Sequence, residues 1–393
     1  MRVLVIWGES LAKPGGGTVH CLGLCGGLVA GGHRVTIIAP RYGRQELDCG
    51  GLDVRPVDLP RRSILSFLCF QAISVLLLPL WLIRYRPSVV YVRTCFLQGI
   101  MALICRAAGV PLVGEVDSMV DQEILMRGEP AWAASLARGL DRVNNRLTSA
   151  LVCVSRGLRI EQIRRGAHPD STITVHNGAR TDLMRPVDRL AARDRFGLPK
   201  EAFIVGFAGS FAPWQGLDFL LDAAGRIPGS LRPRLKLALM GGGIAADDLR
   251  RGIEDRGLKD MFILLDEGPP QRVAGFLDAC DAGVIPIHDP RKLGYCSPLK
   301  FWDAISVGLP VLVARGSEID EVLRDLSLPG TFDPADPQSL AEALMDLVEN
   351  ADQLRSRRLE VHELVKERYD WRRVAERTVE LFDHLRRGRR PPK

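Results

Sequence analysis

The stretch Tyr295-Cys-Ser-Pro-Leu-Lys-Phe-Trp-Asp303 gathers residue types that can do chemistry. Ser297 suits a helix cap and Pro298 a first helical position, so a helix is expected over residues 298–306. Its free N–H groups and the positive end of its dipole attract an anion. Lys300 and Asp303, three apart, share one helix face. A diphosphate at the helix start, with the carboxylate one turn in accepting ribose hydroxyls, makes a coherent nucleotide site. The same residues also make an ordinary capped helix with a surface ion pair. A second candidate is Gly15-Gly16-Gly17, where backbone without Cβ atoms lets N–H groups approach a phosphate or sugar closely, or simply turns.

Strands and helices must position these residues. Short strand-forming runs at 3–6, 35–38, 52–57, 89–92, 111–114 and 151–154 alternate with helical patterns. A second series at 204–207, 235–240, 263–265, 283–285 and 310–313 follows a turn-rich stretch, with helices between, as at 214–224. Buried β-rich runs separated by helices mean parallel sheets wrapped on both faces. The expectation is α/β: two doubly wound Rossmann-like domains with a cleft where the strand C-termini face each other. The boundaries are expected at 1–183 and 184–373, with residues 374–393 as a helix returning to the first domain plus a basic tail.

The 393 residues suit two cores rather than one. Nine cysteines without metal or disulfide spacing argue against metal and redox chemistry and for a reducing compartment. The chain runs directly into its first strand, so no secretory signal is expected. The net charge of +6 is uneven: residues 1–186 carry 22 Lys and Arg against 14 Asp and Glu, and residues 385–393 add five positive charges. That field favours an anionic membrane or a phosphate-bearing acceptor. With no aromatic platform among the basic residues, nucleic acid is not expected. Residues 63–83 are uncharged and long enough to span a bilayer, yet Ser63, Ser66, Gln71 and Ser74 share one arc and arginines flank both ends. A transmembrane span is rejected in favour of a buried crossover helix or one whose outer face dips into a membrane interface.

These features, in order, resemble glycosyltransferase family 4, the retaining group 1 glycosyltransferases of the GT-B fold. The likeness runs through Gly15-Gly16-Gly17, Gly31-Gly32-His33, Val89-Val-Tyr-Val-Arg93, Glu115-Val-Asp117, Asn177-Gly178, Gly209-Ser-Phe211, Trp214-Gln-Gly216, Met240-Gly-Gly-Gly243, Ser297-Pro-Leu-Lys300 with Asp303, and Tyr369-Asp-Trp371. The resemblance implies a nucleotide diphosphate sugar as substrate, UDP-linked for preference, with no cofactor and no metal. It places the donor on Ser210, Gln215, Gly241, Gly242, Ser297, Pro298, Leu299, Lys300 and Asp303 of the C-terminal domain. Gly16, Gly17, Arg93 and Glu115 are expected on the acceptor side. Asp117 is expected to orient an acceptor hydroxyl, to act as catalytic base, or only to serve a turn.

Three positions depart from the family pattern. The cationic pair that neutralises donor phosphates reads Ser210 and Gln215, and the first of two spaced acids reads Tyr295. Lys300, Arg93 and Arg315 are candidate replacements for the charge. The expected activity is transfer of a sugar to a cell-surface polysaccharide or lipid-linked saccharide, by a cytoplasmic protein in peripheral contact with an anionic membrane. The alternative is a non-catalytic relative that binds nucleotide as a scaffold or subunit in glycan assembly.

Overall fold

A computed structural model describes residues 1–12, 15–43, 49–93 and 95–387. Residues 388–393, most of the basic tail, lie outside it. The chain forms two compact units, Met1–Gly178 with Trp371–Lys393, and Ala179–Asp370. The division falls at Gly178 and Asp370, where the sequence reading put it at residues 183 and 373.

The first unit is a parallel sheet of β1 (Arg2–Ile6), β2 (Arg34–Tyr42), β3 (Asp53–Leu59), β4 (Val89–Arg93), β5 (Leu112–Val116), β6 (Ala150–Cys153) and β7 (Thr172–Thr174). Their spatial order is β3-β2-β1-β4-β5-β6-β7, so the strand order reverses between β1 and β4. Three helices carry the early crossovers: α1 (Gly16–Ala30), α2 (Ile64–Tyr85) and α3 (Gln98–Ala107). Phe70, Leu78 and Leu82 of α2 and Met101 and Cys105 of α3 pack on Leu4, Ile6, Val90 and Val92 of the sheet. Burial of such side chains contributes about 1.5–3 kcal/mol each and holds the crossovers down.

The final helix, Trp371–Arg386, packs on α1. Close approach depends on small residues. A Cβ at Gly23 would sit 2.4 Å from the Trp371 ring, and one at Gly178 would sit 2.6 Å from it. Gly23→Ala is therefore expected to destabilise the first unit by about 1–3 kcal/mol through overpacking. Urea unfolding reads this directly, and an unchanged midpoint would refute the packing argument.

The second unit repeats the plan with β8 (Phe203–Ala208), β9 (Leu235–Met240), β10 (Phe262–Leu265), β11 (Ala282–Ile285), β12 (Val311–Ala314) and β13 (Thr331–Phe332). Their order is β10-β9-β8-β11-β12-β13, all parallel, with the reversal between β8 and β11. One core lies on each face of the sheet. The helix expected from Trp214 is split. Pro213–Gln215 form a short 3-10 turn, and the α-helix runs Leu217–Gly225. Gly216 takes φ 74°, and a Cβ there would lie 1.9 Å from the Pro286 carbonyl oxygen, so the chain turns where only glycine fits.

Candidate donor and acceptor sites

In open parallel sheets, ligands bind beyond the strand C-termini where the strand order reverses. In the second unit that edge holds the loops after β8 and β9. They are stitched together by Gly209 N–H to the Met240 carbonyl (3.0 Å) and Phe211 N–H to the Gly242 carbonyl (2.7 Å). Gly241 adopts φ 156°, and a Cβ on it would meet the Gly209 oxygen at 1.9 Å. Its glycine thus serves the joining of two loops. Gly242 is the freer of the pair, with only Glu267 Oε2 near its Cβ position, at 3.9 Å. Ser210 is exposed beside them.

The helix that follows Ser297 begins at Leu299 and ends at Ser306. Pro298, at φ −71° and ψ 126°, takes the cap position that the sequence assigned to Ser297. Ser297 is instead buried and accepts the Trp302 indole N–H at 3.0 Å. Among the described residues, no side chain caps this helix.

Lys300 extends from the first turn toward the loop after β8. Its ammonium donates to Gln215 Oε1 and lies 4.5 Å from the centre of the Phe207 ring. A Cβ on Gly209 would come within 3.1 Å of it. Burial pushes the Lys300 ammonium down to about 7, since a cation loses hydration there; Cys296 opposes the shift more weakly. The structure therefore joins Lys300 to the position where the resemblance expects a cation and the sequence has Gln215. Lys300 reaches that position from 85 residues away.

Asp303 does not pair with Lys300. Both its oxygens accept from Arg180, at 2.9 and 2.7 Å, in a bidentate pair of largely buried side chains. Arg180 thus occupies the carboxylate that the resemblance assigns to the donor. Sequence reasoning missed Arg180, although it lies only two residues beyond the quoted Asn177-Gly178. It also missed His288, just past β11. That ring stacks on Phe219 at 4.6 Å, and its Nδ1 is buried without a hydrogen-bond partner among the described residues.

In the first unit, Arg93 stands at the end of β4. Its guanidinium binds Glu9 at 2.7 Å and also Asp117, and it lies 5.1 Å from the Trp7 ring centre. Burial works against this charge, but Asp117 and Glu9 outweigh it and hold the pKa above its ordinary value. A Cβ on Gly17 would fall 1.8 Å from Glu9 Oε2 and 2.6 Å from Arg93 Nη1, so Gly17 admits the pair. Gly16, the first helical residue, is exposed beside it. Gly17, Arg93 and Asp117 thus come together, with Glu9 as a member that sequence reasoning did not select. Asp117 serves first as a partner of Arg93.

Glu115 requires a correction. The strand expected to end at residue 114 continues to Val116, which draws Glu115 into the sheet, where it is fully buried. It accepts from Tyr91 Oη and faces His20 Nε2 at 2.9 Å. The other His20 nitrogen meets Asn177 Oδ1 at 2.5 Å, with Trp7 stacked on the ring and Trp371 edge-on to it. Glu115 is out of a ligand's reach and anchors the interior instead. The signal available for His20 was weak, a lone histidine on an apolar helix.

Burial alone lowers the His20 pKa, but Glu115 reverses the effect and raises it above the ordinary value. This group contributes stability that is complete below the unfolded value of about 6.5 and is lost as pH rises through the folded one. Thermal unfolding midpoints should fall across that window in the native chain and stay flat in His20→Gln. The reverse slope would refute the pairing.

Among the described residues, no group of three His, Cys, Asp or Glu side chains is placed to hold a metal. Residues 15–178 match the Glycosyl transferase 4-like domain, and residues 188–360 match Glycosyl transferases group 1. The chain belongs to the group 1 glycosyltransferases. Among similar curated proteins, the D-inositol 3-phosphate glycosyltransferase of Acidothermus cellulolyticus is 30% identical over 193 residues, covering 47% of this chain and 42% of that protein. The one from Thermobispora bispora is 29% identical over 259 residues, covering 63% and 59%. The matched part is therefore less than two thirds of either relative. Among solved structures of the same fold, Anabaena HepE in complex with UDP and glucose gives a TM-score of 0.74 at 20% identity, covering 98% of this chain and 99% of that one. Sucrose-phosphate synthase from Thermosynechococcus elongatus gives 0.79 at 16% identity, with the same coverage.

Proposed function

We propose that this group 1 glycosyltransferase moves a sugar from a UDP-sugar to a hydroxyl of a lipid-linked saccharide or growing polysaccharide, with retention at the anomeric carbon. The observation that carries this reading is Lys300 seated on Gln215 beside the loop after β8. It restores a cation where the departing diphosphate needs one. In such transfer the acceptor oxygen bonds to the anomeric carbon while the bond to the β-phosphate oxygen breaks and the hydroxyl proton passes to the departing diphosphate, and the protein mainly orients substrates and stabilises the departing charge. Protonated Lys300 supplies that stabilisation, Asp303 shares its oxygens between Arg180 and the ribose, and Gly242 leaves room at the loop. On the acceptor side, Asp117 orients the attacking hydroxyl while Arg93, itself held by Glu9, fixes its carboxylate. Retention follows from the family resemblance.

The names of the curated relatives favour a second acceptor, an inositol phosphate. Both belong in one experiment. Purified protein is incubated with UDP-, ADP- and GDP-sugars, with either a membrane lipid extract or D-inositol 3-phosphate, and released nucleotide diphosphate is measured. One donor should give release that its acceptor accelerates. Asp303→Asn should weaken nucleotide binding about tenfold, the loss of roughly one charge-assisted hydrogen bond, and Asp117→Ala should abolish the acceptor's acceleration. Tight UDP binding with no release under any pairing would make the chain a nucleotide-binding scaffold.

A further inference from the structure

The crossover helix α2 is apolar on its outward face as well as on the face it packs against the sheet. Its polar side chains Ser66, Gln71 and Ser74 are buried, and Gln71 Oε1 accepts the Leu97 N–H at 3.1 Å in the approach to α3. Every residue between Ile64 and Ile83 that the fold leaves exposed is apolar. Ile64, Leu65, Leu76, Leu80 and Ile83 are 60–74% exposed and Leu68 is 43% exposed. An apolar face this continuous on a soluble domain marks a surface that something else covers.

Charge complementarity names the occupant. Arg61 and Arg62 precede the helix, Arg84 and Arg86 close it, all four are exposed, and no Asp or Glu occurs between residues 60 and 86. Twenty-two residues make a rod of roughly 33 Å with cations at both ends and hydrocarbon along one side. The helix is long and apolar enough to cross a bilayer. It is tied, however, between β3 and β4 of one sheet and packs on β1 and β3. A span through a bilayer would pull β3 and β4 of that one sheet to opposite sides, so the helix does not cross one.

We infer that the outward face of α2 docks on an anionic phospholipid surface, with its leucines among the acyl chains and its terminal arginines on the phosphate groups. This goes beyond the transfer reaction and does not depend on it: nucleotide release with a water-soluble acceptor does not involve α2.

The full chain is tested by flotation with vesicles of phosphatidylcholine alone and of equal parts phosphatidylcholine and phosphatidylglycerol. Binding should require the anionic lipid and should weaken as the screening length falls below about 10 Å above roughly 0.1 M salt. Leu76→Ser with Leu80→Ser should reduce partitioning at least about tenfold, since both side chains leave the acyl region. Arg84→Ser with Arg86→Ser, which leaves the apolar face intact, should also weaken binding to anionic vesicles. Cys69 is exposed within the same stripe, so a polarity-sensitive dye on its thiol should shift to the blue with anionic vesicles. No flotation, equal flotation with neutral lipid, or an unshifted dye overturns the proposal. So does a stable dimer that Leu76→Ser with Leu80→Ser dissociates, because the face would then belong to a second copy.

Discussion

Lys300→Ala is expected to weaken UDP binding about ten- to a hundredfold, the loss of one charge-assisted contact to a phosphate. Gln215→Ala should change it little, because the cation remains. Gln215→Lys sets two ammonium groups together, which should lower stability without nucleotide and raise affinity with it. The pH dependence follows from the same group. With its free pKa at about 7, Lys300 is mostly neutral at pH 8, and a diphosphate favours its charged form. Binding should take up a proton, and affinity should fall as pH rises above about 7, by up to roughly tenfold per unit. Stability without ligand runs the other way. An unfolded lysine titrates near 10.4, so the folded state binds fewer protons between about 7 and that value, and stability increases with pH there. Calorimetry in two buffers of different ionisation enthalpy measures the proton uptake. Affinity that rises with pH, or a pH slope that survives in Lys300→Ala, would remove Lys300 from the phosphate site.

Arg193→Met should cost roughly 3–5 kcal/mol, the usual loss when one side of a buried ion pair is removed. Arg193 is fully buried and binds Asp281 Oδ2 at 2.5 Å. Its remaining N–H groups donate to the carbonyls of Ala279, Pro199, Lys200 and Ala202, at 2.6–3.1 Å. Asp281 also accepts the Ile204 N–H at 2.7 Å and pairs with Arg355 and Arg189. One guanidinium thus fastens the helix Arg189–Phe196 to the start of β8 and to the end of the helix Pro270–Ala279. Arg193→Lys should rescue only a small part, because three donors on one nitrogen cannot reach five acceptors spread around a plane. Denaturant unfolding followed through the second unit is the measurement. A change below about 1 kcal/mol would show that the carbonyls find water and that Asp281 is held well enough by its other partners.

The sheets were legible because buried parallel strands are runs of apolar, β-branched residues. Leu235–Met240 was placed to the residue, and most other strands within one or two positions. The two strands missed, Thr172–Thr174 and Thr331–Phe332, are too short and too polar to show such a run. The glycine turn at 15–17 was visible as composition, but its purpose, room for Glu9 against Arg93, depends on side chains that meet from the loop after β1 and the end of β4. The Lys300–Gln215 and Arg180–Asp303 pairs join residues 85 and 123 positions apart, and no periodicity records such meetings. Glu115 misled for a different reason. A lone acid after Pro111-Leu-Val-Gly114 signals a strand end unless a buried histidine and tyrosine wait beside it, and both are remote in sequence.

The first unit is assembled from two ends of the chain, and this bears on its birth on the ribosome. Domains form as units while the chain emerges. Ala179–Asp370 is continuous and has all its parts as soon as it has emerged. The first 178 residues must wait for Trp371, with the Gly23 and Gly178 surfaces that receive its ring left open for nearly two hundred residues of synthesis. A nascent chain stalled before residue 371 should therefore carry a finished second unit and an unfinished first one, prone to capture by chaperones. A fragment meant to reproduce the first unit alone would need the last helix grafted back.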